Sequence, residues 1–341
     1  MRETTPIDAP DGPPCPVCGA ASTAVPAPGR AALLAAIENA LLATGLDPLL
    51  PPLSGLQRCL SCTLEFAHPM QEPGAAFYQW LTTEGFAYHA ARWEWTACRE
   101  RLLALPRPQG RPLQLLDVGC GGGDFLRALA DLDGVAAMGV EFNPDVVSAG
   151  RAHGLDLRLG GLAEATQAQP PGFDVITFWH VVEHIGDPVG LLLDARDALR
   201  PGGLLYFSVP LSPLSYEHAW FDPFNAPPHH LTRWNLRSLQ ALATRLGMSI
   251  ELELPTAAPL AQRVLRSLVL QAMPMAITGG PWVKALRLCW FLLRHPCRLL
   301  AEIRMQGRRP QHEGRVLPDL AMICLRRGSP AAANSGGPRG E

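Results

Sequence analysis

The sequence predicts an α/β protein built on a doubly wound, seven-stranded and mostly parallel sheet, with a small N-terminal unit and a helical insertion before the last strand. Two observations lead to this prediction. Apolar runs of strand length alternate with helical patterns from residue 113 onward, as in βαβ units. The first strand also enters a Gly-rich turn, which is typical of open α/β sheets that bind a ligand at the carboxyl ends of their strands.

Seven apolar runs have the length of strands, and helical patterns separate most of them. The predicted strands cover Leu113–Val118, Ala137–Glu141, Leu155–Leu159, Phe173–Phe178, Gly203–Val209, Met248–Leu254 and Leu320–Leu325. The predicted helices of this region cover Asp124–Leu132, Pro144–His153, Pro188–Leu199 and Leu236–Leu246. A last strand so far downstream of the sixth implies an insertion between them.

The chain of 341 residues is long enough for one large domain with additions, or for two domains. We predict a disordered tail over 1–14, a cysteine-containing unit with a helical insert over 15–70, a helical linker over 71–111, an α/β core over 112–256 and 317–327, a basic helical insertion over 257–316 and a disordered tail over 328–341. The first residues lack the pattern of a signal peptide, and nine cysteines do not fit a secreted disulfide framework. A cytoplasmic protein is therefore expected.

Composition and charge exclude several classes of protein. With 48% hydrophobic residues and a net charge of −2, the chain is neither wholly disordered nor a polyanion binder over its whole surface. Of the 29 basic residues only Lys284 is a lysine, and it lies outside any Gly-Lys-Ser/Thr sequence, which excludes a phosphate-binding P-loop. Position 280 is Gly, which excludes the Tyr-x-x-x-Lys pair of short-chain dehydrogenases.

The Gly-rich turn after the first strand points to a bound cofactor. Gly119, Gly121 and Gly123 leave the backbone bare, so that a ligand can lie against it. A dinucleotide fingerprint would also need Gly at position 124, which is Asp. Glu141 ends the second strand, 22 residues after Gly119, where an acid reaches the ribose hydroxyls of a bound nucleoside.

Five segments together resemble the class I S-adenosylmethionine-dependent methyltransferases, in particular the small-molecule branch that includes ubiquinone biosynthesis. These segments are 117–123, the acid Glu141, 173–188 with its Val-Val-Glu-His-Ile-Gly-Asp-Pro end, 199–203 (Leu-Arg-Pro-Gly-Gly) and 228–234 (Pro-His-His-Leu-Thr-Arg-Trp). The resemblance covers about residues 112–255 and 318–327. It implies a Rossmann-like methyltransferase fold, S-adenosylmethionine as the cofactor and methyl transfer to a small-molecule acceptor.

The resemblance also implies which residues bind the methyl donor. They are Asp117, Gly119, Cys120, Gly121, Gly123, Glu141, Phe142, Leu162, Ala163, Trp179 and His180. The glycines are expected to pass under the methionine part, Glu141 to bind both ribose hydroxyls, and the backbone at 162–163 to edge the adenine, with Glu164 a weaker candidate. Phe178 and Trp179 either shelter the sulfonium by a cation–π contact or simply pack.

Histidines are the candidates for contact with the acceptor. If the acceptor is a hydroxyl, a base is needed to accept its proton. The candidates near the expected site are His180, His184, His229 and His230. We favour His230 as the catalytic residue, with His229 and His184 as further candidates, because the loop that carries 229 and 230 should cover the acceptor. A structural role for these histidines stays open, and an acidic carbon acceptor needs no such base.

Two Cys-x-x-Cys pairs predict a structural zinc ion near the N-terminus. Cys15, Cys18, Cys59 and Cys62 have the spacing that lets paired thiolates bind tetrahedral Zn²⁺. The 40 residues between the pairs include a helical pattern from Arg30 to Thr44, which we interpret as an insert in the ribbon. The surrounding sequence resembles the N-terminal zinc ribbon of some methyltransferases. Four reduced cysteines without metal are the alternative.

The predicted insertion is strongly basic. Residues 257–309 carry nine basic side chains and one acid, Glu302. As a helix it would be basic and amphipathic, which suggests a membrane surface, a lipid-linked acceptor or an acidic partner. A lid or packing appendage with a solvated face accounts for the same residues and is the leading interpretation, with peripheral membrane or lipid association second. Nucleic acid is disfavoured because lysines and interleaved aromatics are sparse.

Two other functions remain to be separated from a small-molecule methyltransferase. One is a non-catalytic adapter that combines a ribbon with a nucleotide-fold core, and the intact 117–123 turn and Glu141 argue against it. The other is an RNA methyltransferase that uses the ribbon and the insertion as clamps, which predicts salt-dependent retention of RNA.

Overall fold

The computed structural model describes residues 12–52, 55–84, 92–168, 172–219, 221–273 and 281–328. The two tails expected to be disordered, 1–14 and 328–341, lie almost entirely outside the described residues.

The described residues form strands and helices that we number along the chain. The strands are β1 (Ser22–Val25), β2 (Gly55–Cys59), β3 (Glu65–His68), β4 (Leu113–Val118), β5 (Val135–Glu141), β6 (Leu157–Leu159), β7 (Phe173–Trp179), β8 (Leu199–Pro210), β9 (Thr232–Arg233), β10 (Ser249–Glu253), β11 (Gln311–His312), β12 (Arg315–Val316) and β13 (Leu320–Arg326). The helices are α1 (Arg30–Leu41), α2 (Ala75–Thr83), α3 (Trp93–Ala104), α4 (Asp124–Ala128), α5 (Pro144–Ala152), α6 (Leu162–Ala168), α7 (Pro188–Ala198), α8 (Leu236–Leu246), α9 (Leu260–Ala272), α10 (Pro281–Arg294) and α11 (Cys297–Gly307).

The central sheet has seven strands in the order β10-β13-β8-β7-β4-β5-β6. Strands β4 to β8 run parallel to their neighbours, and β13 is inserted antiparallel between β8 and β10. This confirms the predicted fold class, a mostly parallel seven-stranded sheet of the Rossmann-like methyltransferase type. All seven predicted strands are present, and α6 is an additional helix that the sequence did not predict.

The strands form because their residues are apolar on both faces. In β7, Ile176 and Phe178 point into one buried cluster, whereas Val175 and Trp179 point into another on the opposite face. Continuous apolar runs of this kind are typical of parallel strands covered by helices on both sides. The residues that follow the strands at their carboxyl ends are thereby held on a rigid edge.

The N-terminal strands belong to a second sheet that reaches into the core domain. This antiparallel sheet has the order β1-β2-β3-β9, so its last strand comes from residues 232–233, far along the chain. Phe66 pairs with Thr232 and Glu65 with Arg233. The cysteine-containing unit and the segment after His230 are therefore one structural piece.

Over its described residues, 257–273 and 281–316, the insertion contains the helices α9, α10 and α11 and the short β11–β12 hairpin. Pro296 lies between α10, which ends at Arg294, and α11, which begins at Cys297, because proline cannot continue a helix. Helix α11 is anchored to the core side by Glu302, which bonds His218 at 2.8 Å, and by Gln306, which donates to the carbonyl of Ser215 at 2.7 Å. Within the described part of the chain, no helix is both long enough and apolar enough to span a bilayer.

Candidate donor and acceptor sites

The turn after β4 adopts a conformation that requires glycine. Gly119, Gly121 and Gly123 have φ values of +70°, +51° and +76°, in the left-handed region that costs other residues roughly 1–2 kcal/mol. A side chain at 119 would also come within 2.7 Å of a methyl group of Val181. Cys120 follows the same turn, and its backbone N–H donates to the carbonyl of Val140 at 3.1 Å. The predicted ligand-binding turn therefore has the required bare backbone.

Asp117 lies at the end of β4, beneath this turn. Its carboxylate is 1% exposed and accepts a hydrogen bond of 2.6 Å from the Thr177 hydroxyl on β7. Burial raises the pKa of Asp117 to about 7, against the opposing effect of that hydrogen bond. The side chain is therefore held inside the core against β7 and does not project into solvent.

Glu141 lies beside the glycine turn. One carboxylate oxygen accepts from the Gly121 N–H at 3.1 Å. The other accepts from the N–H groups of Phe142 at 2.8 Å and Asn143 at 3.0 Å. Three backbone donors thus fix the carboxylate at the carboxyl end of β5, next to the turn, in the position expected of a ribose-binding acid.

The remaining predicted donor-side residues border the same edge of the sheet. Phe142 is 75% exposed, Leu162 is buried and Ala163 is exposed at the start of α6. Glu164 bonds the N–H of Gly161 at 2.8 Å, so its carboxylate is used to hold the loop before α6.

The end of β7 carries two aromatic side chains that pack. Phe178 is fully buried in the core, which decides its role in favour of packing. Trp179 is 7% exposed and meets the ring of Phe125 edge-on, with 5.0 Å between centroids. Phe178 therefore offers no exposed ring face to the methyl donor.

His180 follows Trp179 with a strained backbone, at φ +56°. Its ring nitrogens lie 3.1 Å from a carboxylate oxygen of Glu183 and 3.2 Å from one of Glu94, and both acids are fully buried. Burial lowers the pKa of His180, but the hydrogen bonds to Glu183 and Glu94 outweigh it and raise that pKa to about 9. The side chain is therefore an imidazolium held between two carboxylates at neutral pH.

The three candidate acceptor-side histidines come together. The centroids of the His184, His229 and His230 rings are 4.6, 4.7 and 4.8 Å apart. They border a cavity of about 440 Å³. Its other lining residues include Arg92, Trp93, Glu94, His180, Glu183, Tyr216 and Asn225.

Each of these three rings has an oxygen atom next to its Nδ1. The acceptors are the carbonyl of His229 for His184 (2.6 Å), the carbonyl of Phe224 for His229 (2.8 Å) and the side-chain oxygen of Asn225 for His230 (2.9 Å). Burial lowers the pKa of all three, that of His229 to about 3. The imidazoles are therefore neutral at physiological pH.

Backbone hydrogen bonds connect the loop that carries His229 and His230, here called the acceptor loop, to strand β3 on one side and to the segment of Glu183 on the other. The N–H of Ala67 in β3 donates to the carbonyl of Leu231 at 2.8 Å, and the N–H of Leu231 donates to the carbonyl of Glu183 at 2.8 Å. Arg233 also pairs with Glu65 at 2.9 Å. The N-terminal sheet thus holds the loop of His229 and His230 against the segment of His184.

The four predicted zinc ligands form one cluster. The Sγ atoms of Cys15 and Cys62 are 3.6 Å apart, those of Cys18 and Cys59 are 3.4 Å apart, and all four lie within 4.8 Å of one another. A tetrahedral ion with Zn–S bonds of about 2.3 Å places its ligands about 3.8 Å apart. The N–H groups of Ser61 and Cys62 point at the Cys59 sulfur at 3.3 Å.

Sequence reasoning did not assign several residues of this site. Glu94 is remote in sequence, and no local pattern marks it as a partner of His180. Glu183 directly precedes His184 in the Val-Val-Glu-His segment, and this adjacency was the available signal. Asn225 and Arg92 line the cavity from segments that carried no motif.

Comparison with known proteins gives consistent results. Residues 88–253 match a family described as "Methyltransferase domain". A "Ubiquinone biosynthesis O-methyltransferase" of Xanthomonas campestris is 32% identical over 128 residues, 36% of this chain and 50% of the relative. A protein of the same name from Xylella fastidiosa is 34% identical over 101 residues, 28% of this chain and 41% of the relative. The chain thus spans about half the length of these curated relatives, or less.

A solved structure of a SAM-dependent methyltransferase from Archaeoglobus fulgidus is 17% identical, with a TM-score of 0.46 over 73% of this chain and 100% of that one. The family match, the glycine turn with its neighbouring acid and the order of the seven strands agree with one another. The chain contains a class I S-adenosylmethionine-dependent methyltransferase domain, matched over residues 88–253.

Proposed function

We propose that the protein transfers the methyl group of S-adenosylmethionine to a small-molecule acceptor. One contact carries this proposal: a side chain at Gly119 would strike Val181, which lies between His180 and Glu183 of the histidine-lined cavity. The glycine turn therefore packs directly against the segment 180–183, whose His180 and Glu183 line the cavity, so that donor and acceptor would lie close together. Such closeness is what an in-line transfer needs, since most of its rate comes from proximity and orientation.

Donor binding would depend on the turn 119–123 and on Glu141. The bare backbone of the turn accepts the methionine part, and Glu141 offers its oxygens to the ribose hydroxyls without rotating, because three N–H groups fix it. When bound, S-adenosylmethionine supplies a methyl group already activated on sulfur.

The acceptor would enter the cavity bordered by His184, His229 and His230. Its nucleophilic atom takes the methyl group, the bond from methyl to sulfur breaks, and the acceptor loses its proton. Neutral imidazoles have a lone pair that accepts such a proton, and we favour His230 for this role. The Xanthomonas and Xylella relatives are named O-methyltransferases, which supports a hydroxyl as the methylated group.

We further propose that Cys15, Cys18, Cys59 and Cys62 bind structural Zn²⁺. The four sulfurs have near-tetrahedral spacing, and backbone N–H groups are directed at one of them. A closed set of four thiolates leaves no position for a substrate, so the ion would stabilise the N-terminal sheet and through it the acceptor loop.

The insertion would bind an anionic membrane surface on the cytoplasmic side. The apolar face of α10 is exposed, with Trp282 at 83%, Leu286 at 70% and Leu293 at 81%. Lys284, Arg287 and Arg294 are on the same helix, and Arg298 follows on α11. Exposed apolar residues flanked by cations are the pattern of a helix that lies in the interface, and a lipid-linked acceptor would fit it.

Transfer of a labelled methyl group from S-adenosylmethionine to components of a cell extract tests the proposed activity. Label in the polar or lipid small-molecule fraction, lost in a Glu141→Ala variant, supports it. Label in RNA would instead support the nucleic-acid alternative. Binding of the donor with no label in any fraction would support the non-catalytic adapter.

A further inference from the structure

Three histidines converge on one point of the cavity wall. One ring nitrogen from each of His184, His229 and His230 lies within 4.8 Å of the nitrogens of the other two. His229 and His230 are buried and His184 is half-buried, so the cluster faces the cavity and not bulk solvent. Nothing in the proposed donor site requires three imidazoles at this place.

The hydrogen bonds determine which nitrogen of each ring carries the proton. Carbonyl oxygens have no hydrogen to donate, so His184 and His229 must be protonated at Nδ1, where they meet the carbonyls of His229 and Phe224. For His230 the acceptor is the Asn225 side-chain oxygen.

The orientation of Asn225 is itself fixed. Its amide nitrogen donates to Glu217 at 2.5 Å and to the hydroxyl of Ser212 at 3.2 Å. The amide oxygen is therefore the atom that faces His230. All three rings therefore carry the proton on Nδ1 and the lone pair on Nε2.

We propose that the Nε2 atoms of His184, His229 and His230 bind a divalent transition-metal ion such as Zn²⁺ or Co²⁺ in the acceptor cavity. Three imidazoles with an open fourth position are the donor set of a catalytic zinc site, whereas Mg²⁺ and Ca²⁺ prefer oxygen ligands. Nδ1–H bonded to an oxygen is the usual outer-shell arrangement of a metal-binding histidine. Metal–nitrogen bonds of about 2.1 Å would draw the three nitrogens to about 3.4 Å apart.

Such an ion would define the class of acceptor, an inference that rests on the proposed function. A hydroxyl oxygen, or two neighbouring oxygens, would complete the coordination. The ion lowers the pKa of the bound hydroxyl, which releases its proton to water. The oxygen then takes the methyl group as the bond from methyl to sulfur breaks, and S-adenosylhomocysteine leaves. With the ion bound, the imidazoles would serve as ligands, and water would take the acceptor's proton in place of His230.

Cobalt titration of the metal-free full-length protein tests the site. The cysteine cluster would give thiolate-to-cobalt charge-transfer bands, whereas three imidazoles give only weak visible bands, so the two sites are distinguishable in one spectrum. We expect two bound ions per chain in the wild type and one in His230→Ala, which keeps the thiolate bands. His153→Ala alters an exposed histidine outside the cluster and should still bind two.

Two further measurements keep the test decisive. Calorimetry with S-adenosylmethionine shows whether His230→Ala is folded, and it tests the donor site separately from the metal site. Asn225→Ala should weaken the second ion by roughly 10–100-fold, as expected of an outer-shell partner. A wild type that binds cobalt only with thiolate bands, or a His230→Ala variant that still binds two ions, would overturn the metal site whatever the donor affinity is.

Discussion

Phe66 of the N-terminal sheet pairs with Thr232, which lies two residues beyond His230 in the acceptor loop. The neighbouring bond from the Ala67 N–H to the Leu231 carbonyl, at 2.8 Å, continues this connection. Because Leu231 also donates to the carbonyl of Glu183, the loop is held from both sides. The N-terminal unit thus supports the loop that borders the cavity in which we propose that the acceptor binds.

Loss of the cysteine cluster should therefore impair methyl transfer without impairing donor binding. We expect Cys18→Ser to lower the transfer rate by about 100-fold, the effect of a misplacement of about 1 Å at the acceptor, while the Kd for S-adenosylmethionine changes by less than about twofold. Cys289→Ser, on exposed helix α10, is the control. An unchanged transfer rate in Cys18→Ser would show that the N-terminal sheet does not position the loop.

Glycine at 119 should be required for space as well as for conformation. Gly110 has nearly the same φ, +73°, but a Cβ there would meet no atom within 4 Å, whereas a Cβ at Gly119 would lie 2.7 Å from a Val181 methyl. We expect Gly110→Ala to cost about 1 kcal/mol in the free energy of unfolding and Gly119→Ala about 3 kcal/mol. Equal losses by chemical denaturation would contradict the close contact with Val181.

Asp117 should make stability depend on pH. Its pKa is raised by burial to about 7, so the folded chain binds more protons than the unfolded chain between about pH 4 and 7, and stability falls as the pH rises through that window. Asp117→Asn removes this pH-dependent loss of stability, because an amide does not titrate. We expect the variant to gain about 3 kcal/mol relative to the wild type between pH 5 and pH 8. A pH-independent difference between the two proteins would refute the buried, protonated carboxyl.

The exposed face of α10 should bind anionic vesicles. Burying aromatic side chains contributes roughly 1.5–3 kcal/mol each, so Trp282→Ala should weaken sedimentation with phosphatidylserine vesicles by at least about tenfold. Leu103→Ala, at another exposed apolar side chain, is the matched control. Added salt should weaken binding further, because the cationic contribution is screened. Vesicle binding that both variants retain in full would exclude this face as the membrane contact.

Local signals in the sequence were enough to predict the core fold and to place the glycine turn beside Glu141. The strands of the central sheet are continuous apolar runs, and helix α8 coincides with the predicted Leu236–Leu246. The glycine turn and Glu141 follow strands directly, so correct strands place them at one edge of the sheet. The two Cys-x-x-Cys pairs can likewise be recognised from their spacing in the sequence alone.

Long-range contacts could not be predicted in the same way. Strand β9 has only two residues, Thr232 and Arg233, too few for a period-two pattern to identify, and its partner β3 lies far away in sequence. Glu94 meets His180 across 86 residues. The convergence of His184 with His229 and His230 depends on the same packing, which no local sequence pattern encodes.

Calorimetric titration of the protein with S-adenosylmethionine tests the central claim most directly. The fixed carboxylate of Glu141 beside the turn predicts saturable binding in the micromolar range, weakened at least about tenfold in Glu141→Ala, since a charge-assisted hydrogen bond contributes about 1.5–3 kcal/mol. Glu251→Ala, which removes an exposed carboxylate on β10 at the opposite edge of the sheet, should bind nearly as well as the wild type. No heat of binding at millimolar donor, or equal affinity of Glu141→Ala and wild type, would contradict the assignment of this site.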